Sequence, residues 1–397
     1  MSVRTAVVLA AGEGIRLRPL TSNRPKPMLP AGNRPILEHV LDALVDAGME
    51  RLVVVVGYRR ERVQEHFGPE YRGIPVEYVR QNKQLGSGHA LLQARKTVAG
   101  PMLVVNGDHL VEASAVDDVV TAFETSDAGA AMAVIERDDP SKYGAVTVSG
   151  PDVTEITEKP ATDSYRLINA GIYAFEASIF EAIEETPRTA GELALTDTIA
   201  RLIADKRVRS VRVGGLWIDA TYPWDLLSVT ARVLERGRVP GSRHTEGIWV
   251  DDSALVDDTA TLRPPVAVGP DCEIGPGSVV GPNVALGQNA TIGANVTVDR
   301  AVLDTDSRVG HGSTLVDAVL GQDATVGVDT SVPGGPADVR IDHEVFEDQR
   351  LGAVLADRVQ AGGGVTFEPG TLVGPGASIG TGATVRGRVA GGAEVVR

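Results

Sequence analysis

Hydrophobic and polar positions follow two different rhythms along the chain. Over residues 1 to about 230, short apolar runs alternate with stretches of helical spacing. Thr5–Ala10 and Leu52–Val56 are nearly unbroken apolar runs, the mark of strands buried on both faces. Val76–Val79, Met102–Val105, Ala145–Val148, Val153–Ile156 and Leu167–Phe175 continue the series of strands. Ile36, Leu37, Val40, Leu41, Leu44 and Val45 recur with helical periodicity and predict a helix over 36–47. Arg60–Phe67, Gly88–Arg95 and Val116–Phe123 read as helices between the strands. This alternation predicts a doubly wound α/β plan, with ligands beyond the carboxyl ends of the strands.

The second rhythm begins after a helix at Trp224–Arg236 and a stretch, 237–247, rich in Gly, Pro, Ser and charge. Val250, Val256, Leu262, Val268, Ile274, Val280, Leu286, Ile292 and Val298 recur at every sixth position. Such hexapeptides build a parallel β-helix, three short strands per coil, with the aliphatic residue pointing inward. Gly269, Gly275, Gly281, Gly287 and Gly293 are expected to serve its turns. The register shifts near Asp304, resumes at Val309 and Leu315, and shifts again to Leu320 and Val326. The repeat lapses over 329–364, which reads as an excursion across the solenoid face, and returns at Phe367, Val373, Ile379 and Val385. The chain therefore divides into 1–236, a linker at 237–247, and 248–397. Every phosphate-handling candidate named below precedes the linker, so cutting near Arg238 is expected to leave a working first domain.

Composition narrows the function classes. A net charge of −15 argues against nonspecific binding to nucleic acid or anionic membrane. The single cysteine, Cys272, excludes an internal disulfide and a Cys-cluster metal site. No apolar run is long enough to span a bilayer, and the first one ends in a glycine turn. The expected location is the cytoplasm.

That glycine turn carries the chemistry. Leu9-Ala10-Ala11-Gly12-Glu13-Gly14 closes the first strand, where a turn can aim backbone N–H groups at a phosphate. Leu9, Ala11, Gly12 and Gly14 are therefore candidate substrate contacts. Arg16 and Lys26 add positive charge, and prolines 19, 25, 27 and 30 keep the arm carrying Lys26 out of helix. A dinucleotide motif fails, because Leu17 stands where its third glycine belongs; a P-loop fails for want of Gly-Lys-Ser/Thr. A nucleoside-triphosphate site remains.

Further candidates lie at later strand ends. In Gln81…Gly86-Ser87-Gly88-His89-Ala90 an amide offers a donor and an acceptor to a base, glycines leave room for it, and Ser87 could cap the next helix. Asp108, after Asn106-Gly107, is placed to hold Mg²⁺ against phosphates, with Asp219 as partner. Glu158, which can accept two sugar hydroxyl protons, and Asn169, which can donate and accept, stand at further strand positions. Glu192–Asp197 receives no chemistry beyond a helix cap at Thr196 or Asp197.

At Gly-x-Gly-x-Arg-Leu (12–17), Pro19-Leu20-Thr21 and Pro25-Lys26-Pro27 the chain resembles the sugar-1-phosphate nucleotidylyltransferases. The resemblance implies a Rossmann-like α/β domain and a left-handed parallel β-helix of hexapeptide repeats. It implies nucleotidyl transfer from a nucleoside triphosphate to a sugar-1-phosphate, with Mg²⁺ on Asp108 and Asp219. Gln81 and Gly86 would read uracil, Gly144, Glu158 and Asn169 would line the sugar pocket, and Lys159 would meet the sugar phosphate. UTP is favoured, dTTP is admitted, and N-acetylglucosamine-1-phosphate or glucose-1-phosphate would accept. Guanylyl transfer to mannose-1-phosphate and a noncatalytic regulatory subunit are the alternatives. The β-helix of such proteins commonly trimerises. In some it transfers acetyl from acetyl-CoA to glucosamine-1-phosphate, and there His311 would be the general base. Thr314 stands where related chains tend to have tyrosine, and no lysine follows Lys206.

Overall fold

The protein is described by a computed structural model over residues 2–138, 140, 143–158, 160 and 165–396. It divides into two compact units: residues 1–13, 25–28 and 36–218, and residues 14–24, 29–35 and 219–397. This partition differs from the expected cut at 236/237. Two pieces of the phosphate-loop region and the helix Asp225–Glu235 group with the β-helix rather than with the first sheet.

The first unit is Rossmann-like. Ten strands among the described residues form one sheet. Its parallel half runs Met102–Asn106, Thr5–Ala10, Arg51–Val56, Ile74–Arg80, with Val7 opposite Val53 and Val104. Ala6 and Val8 join one buried layer and Val7 the other, which is why these strands read as continuous apolar runs. The helices Ile36–Asp46, Arg60–Phe67 and Ser87–Gln93 make the crossovers. Leu167–Phe175 joins antiparallel beside Met102–Asn106, and Ala130–Glu136 and Val208–Arg212 extend the sheet beyond it. No helix among the described residues is long and apolar enough to cross a membrane.

The second unit contains the β-helix. Ile248–Val250 stacks on Val266–Val268, and that strand on Val284–Leu286, three hexapeptides per coil. Val284 then pairs with Ala301, and Ala301 with Ala318, each one residue short of that spacing. This shortening is the register shift read near Asp304.

Of the five glycines expected at the turns, Gly281 takes φ 108°, and the other four do something else. The left-handed corners are shared between Asp or Asn, as at Asp271, Asn283, Asn289 and Asn295 with φ from 55° to 57°, and other glycines such as Gly277, Gly312, Gly376 and Gly382. A Cβ on Gly269, Gly275, Gly287 or Gly293 would instead lie 2.7–2.9 Å from the next coil's backbone. These glycines let the coils stack.

The excursion is shorter than 329–364. Ser331–Val332, Ala353–Leu355 and Gln360–Ala361 all pair within the stack. Only the segment between the first two departs, as an antiparallel hairpin of Pro336–Ile341 and Glu344–Arg350. Asp317 anchors its base, accepting from Arg300 Nε at 2.7 Å, Gly335 N at 3.1 Å and Arg350 Nε at 3.4 Å. Within the expected linker, Ser242–Thr245 is a strand that pairs with Ile248–Val250.

Candidate active site

In the first unit Lys26 Nζ lies 2.8 Å from Asp108 Oδ2, joining two candidates far apart in sequence. Asp108 follows the strand Met102–Asn106, and Gly107 N–H donates to Leu9 O at 2.9 Å. Gln84 Nε2 donates to Ala11 O at 2.9 Å, tying the turn after the first strand to the loop that carries Gln81. A Cβ on Gly12 would meet nothing within 4 Å, so that position is open to an approaching group.

Gln81 is buried and its amide orientation is fixed. Gly86 O can only accept, so the Gln81 atom facing it at 3.1 Å is Nε2. The same nitrogen faces His89 Nδ1 at 3.0 Å. Both amide hydrogens are thereby used, and Oε1 is left as an acceptor. His89 accepts only when neutral at Nδ1; burial first, and Arg188 second, hold its pKa below the ordinary value.

The sequence reading gave Glu192–Asp197 no chemistry, yet this segment closes over the loop. Gly88 N and His89 N both donate to Leu193 O, at 2.9 and 3.2 Å. Ser87 does not cap its helix: its Oγ accepts from Leu195 N at 3.0 Å, and Gly86 is the N-cap. Neither Thr196 nor Asp197 caps the helix Leu195–Asp205, whose N-cap is Ala194. These contacts are nonlocal and leave no local pattern.

Gly144 is opposite Glu158 in antiparallel register, and a Cβ on it would lie 3.3 Å from Glu158 Oε2 and 3.6 Å from Asn169 Cβ. The three sugar-pocket candidates are therefore neighbours. Asn169 Nδ2 donates to Tyr173 OH at 2.5 Å, and its Oδ1 accepts from Gly171 N at 3.0 Å. Trp217 Nε1 donates to Ala170 O at 2.8 Å, while its ring meets His109 edge-on at 5.1 Å. Trp217 thus connects the Asn169 strand with the residue after Asp108. Lys159 lies outside the described residues.

The remaining candidates belong to the second unit. Gly14 takes φ 68° and its carbonyl accepts from Thr21 Oγ1 at 2.7 Å. Arg16 lines a cavity of about 380 Å³ with Tyr222, Ile341, Asp342, His343, Glu344 and Phe346. The β-helix hairpin therefore reaches a residue of the phosphate signature. Asp219 ends the strand Ile218–Asp219 and accepts from Thr221 Oγ1 at 2.8 Å.

His311 is exposed on the β-helix, beside a groove of about 610 Å³ that includes Leu255, Glu273 and Thr291. Its Nδ1 accepts from Ala294 N at 2.7 Å. A neutral imidazole so bonded carries its proton on Nε2 and has its Nδ1 lone pair engaged by Ala294 N–H, so neither nitrogen is free to take a proton in this arrangement.

The nucleotidyl transferase family matches residues 5–236, and the GMPPB C-terminal domain matches 262–368. The "Bifunctional protein GlmU" of Methanococcus maripaludis (strain C5) is 33% identical, with 94% of this chain and 93% of that protein covered. The "UTP--glucose-1-phosphate uridylyltransferase AglF" of Haloferax volcanii is 39% identical, over 58% of this chain and 96% of its own length. A solved Bacillus anthracis structure, described as that of a glucose-1-phosphate thymidylyltransferase, covers 60% of this chain and 97% of its own. It has a TM-score of 0.55 and 26% identity. Matched over 94% of its length in this way, the chain belongs to the nucleotidyl transferase family, as a sugar-1-phosphate nucleotidyltransferase of the GlmU type.

Proposed function

We propose that the protein transfers a uridylyl group from UTP to N-acetylglucosamine-1-phosphate or glucose-1-phosphate, releasing pyrophosphate. The fixed Gln81 amide carries the base assignment. Its free acceptor suits the N3–H of uracil or thymine and opposes cytosine, whose N3 is itself an acceptor. The names of the GlmU and AglF relatives favour uridine among the bases that offer an N–H.

A sugar-phosphate oxygen attacks the α-phosphorus in line; that P–O bond forms as the bond to the β-phosphate bridging oxygen breaks. No side-chain nucleophile is needed, because the attacking phosphate is already ionised. Lys26 stabilises charge that develops on the transferring phosphoryl group. Arg16 and the backbone of Gly12 and Gly14 hold the leaving pyrophosphate, with Leu9 and Ala11 as further substrate contacts. Gly144, Glu158, Lys159 and Asn169 bind the sugar phosphate. Asp108 and Asp219 are hard oxygen donors, which fit Mg²⁺. When bound, that ion would neutralise phosphate charge.

For the β-helix we propose assembly, as a homotrimer, rather than acetyl transfer. The Ala294 bond to His311 speaks against acetyl transfer, since it occupies the nitrogen a general base would need. Crossing four triphosphates with these sugar phosphates and mannose-1-phosphate in a pyrophosphate-release assay tests the assignment. UTP is expected to be the productive nucleotide, with dTTP weaker; GTP as the only productive one would overturn it. Release of free CoA from acetyl-CoA and glucosamine-1-phosphate would overturn the scaffold role.

A further inference from the structure

Among the described residues Arg24 is the one buried arginine, 2% exposed. Its Nη1 pairs with Asp304, and its Nη2 lies 3.0 Å from Asp357 Oδ1. Both carboxylates are buried, and both are fixed to coil corners of the β-helix. Asp304 Oδ1 accepts from Thr305 N at 2.8 Å, and Asp357 Oδ1 from Gln322 N at 3.1 Å. Burial alone would lower the Arg24 pKa; Asp304 and Asp357 more than offset that, leaving it raised.

A desolvated ion triad is weak evidence for added stability, since well-packed apolar groups of similar volume often do as well. It does fix geometry: a planar guanidinium held by two anchored carboxylates has one orientation. Arg24 ends the arm Gly14–Arg24, which belongs to the β-helix unit, and Lys26 stands two residues later, beyond Pro25. Proline fixes its own φ and biases Arg24 toward extended backbone, which narrows the freedom of the short link between them.

We propose that the β-helix positions the catalytic arm through Arg24, Asp304 and Asp357, so that nucleotidyl transfer depends on the second domain in the same chain. This rests on the role given to Lys26 above. It also reverses the expectation that a chain cut near Arg238 keeps its activity, because the cut removes both carboxylates.

The test compares Arg24→Met, Asp357→Asn and the triple variant Arg24→Met/Asp304→Asn/Asp357→Asn with wild type in the full-length protein. Arg24→Met should lower kcat about a hundredfold, the scale of an ångström-sized misplacement, with a much smaller change in the KM for sugar phosphate. The triple variant buries no unpaired charge, so its melting temperature should return toward wild type while kcat stays low. Recovery of kcat together with stability would overturn the proposal, as would a wild-type kcat in Arg24→Met. Arg24→Lys keeps the charge without the fork and should be intermediate. Hydrogen exchange gives a readout independent of turnover: amides of 20–28 should exchange at least about tenfold faster in Asp357→Asn, as local opening becomes easier. Unchanged exchange there would overturn the proposal. Failure of wild type to turn over any triphosphate would overturn the proposed function instead, and the exchange comparison would still decide this one.

Discussion

Replacing Gly86 by alanine probes the base-reading loop at its tightest point. Gly86 has φ 98° and ψ 171°, a region that is essentially glycine's own. Holding alanine there costs about 1–3 kcal/mol. The new Cβ would also lie 2.6 Å from Leu193 O and 2.8 Å from its carbonyl carbon. Backbone atoms cannot swing aside like a side-chain tip, and overpacking of this kind costs about 1–3 kcal/mol more. The loop can relieve the clash only by withdrawing from Leu193, which gives up the bonds from Gly88 N and His89 N and displaces Gly86 O from Gln81. If about 1.4–2.8 kcal/mol of the strain falls on the UTP complex, KM for UTP rises about tenfold to a hundredfold. Initial rates of pyrophosphate release at varied UTP measure this, with a thermal melt to register the share taken by global stability. A variant with unchanged KM and unchanged melting temperature would refute the reasoning, because the strain has nowhere else to go.

His89→Phe removes the acceptor for one Gln81 hydrogen. An unsatisfied buried donor costs about 1–3 kcal/mol, so KM for UTP should rise about fivefold to 150-fold. The wild-type KM for UTP should also depend on acid. His89 has a depressed pKa, so its contribution is complete above the ordinary histidine value and is lost as pH falls through the lower folded value; a KM that rises on going alkaline through neutrality would contradict the sign. Asp317 gives the second pH effect. Burial pushes its carboxyl up, but Arg300, the Gly335 N–H and Arg350 more than reverse this and leave it below the usual value. Its stabilisation is present above the ordinary carboxylate pKa and lost as pH falls through the folded one. Asp317→Asn should cost about 1.5–3 kcal/mol at neutral pH in denaturant unfolding and flatten the acid limb.

The two architectures were legible because each imposes a period. Continuous apolar strands and a six-residue repeat both survive in the sequence, down to the shortened coils at Ala301 and Ala318. The candidate site is read where its pattern is local, in the glycine turn, the Pro-Lys-Pro arm, Asp108 and the Gln81 loop, and the structure brings Lys26 to 2.8 Å from Asp108. What stayed hidden is contact between distant segments. Leu193 closing over Gly86, Trp217 reaching Ala170, and Arg24 paired with two coils depend on how the chain returns on itself. Gly269, Gly275, Gly287 and Gly293 read as turn residues in the sequence, because glycine tolerates positive φ. Their function is to admit the neighbouring backbone, a constraint visible only when the coils are stacked.

The central claim is that Lys26, held 2.8 Å from Asp108 at the strand ends, stabilises the transferring phosphoryl group. The direct test is the rate of UDP-sugar formation from UTP and N-acetylglucosamine-1-phosphate or glucose-1-phosphate by wild type and Lys26→Ala. Both proteins should be shown to melt within a few degrees of each other. The account predicts a loss of at least about a hundredfold in kcat, the cost of removing one preorganised transition-state contact. Near-normal turnover by Lys26→Ala would contradict it.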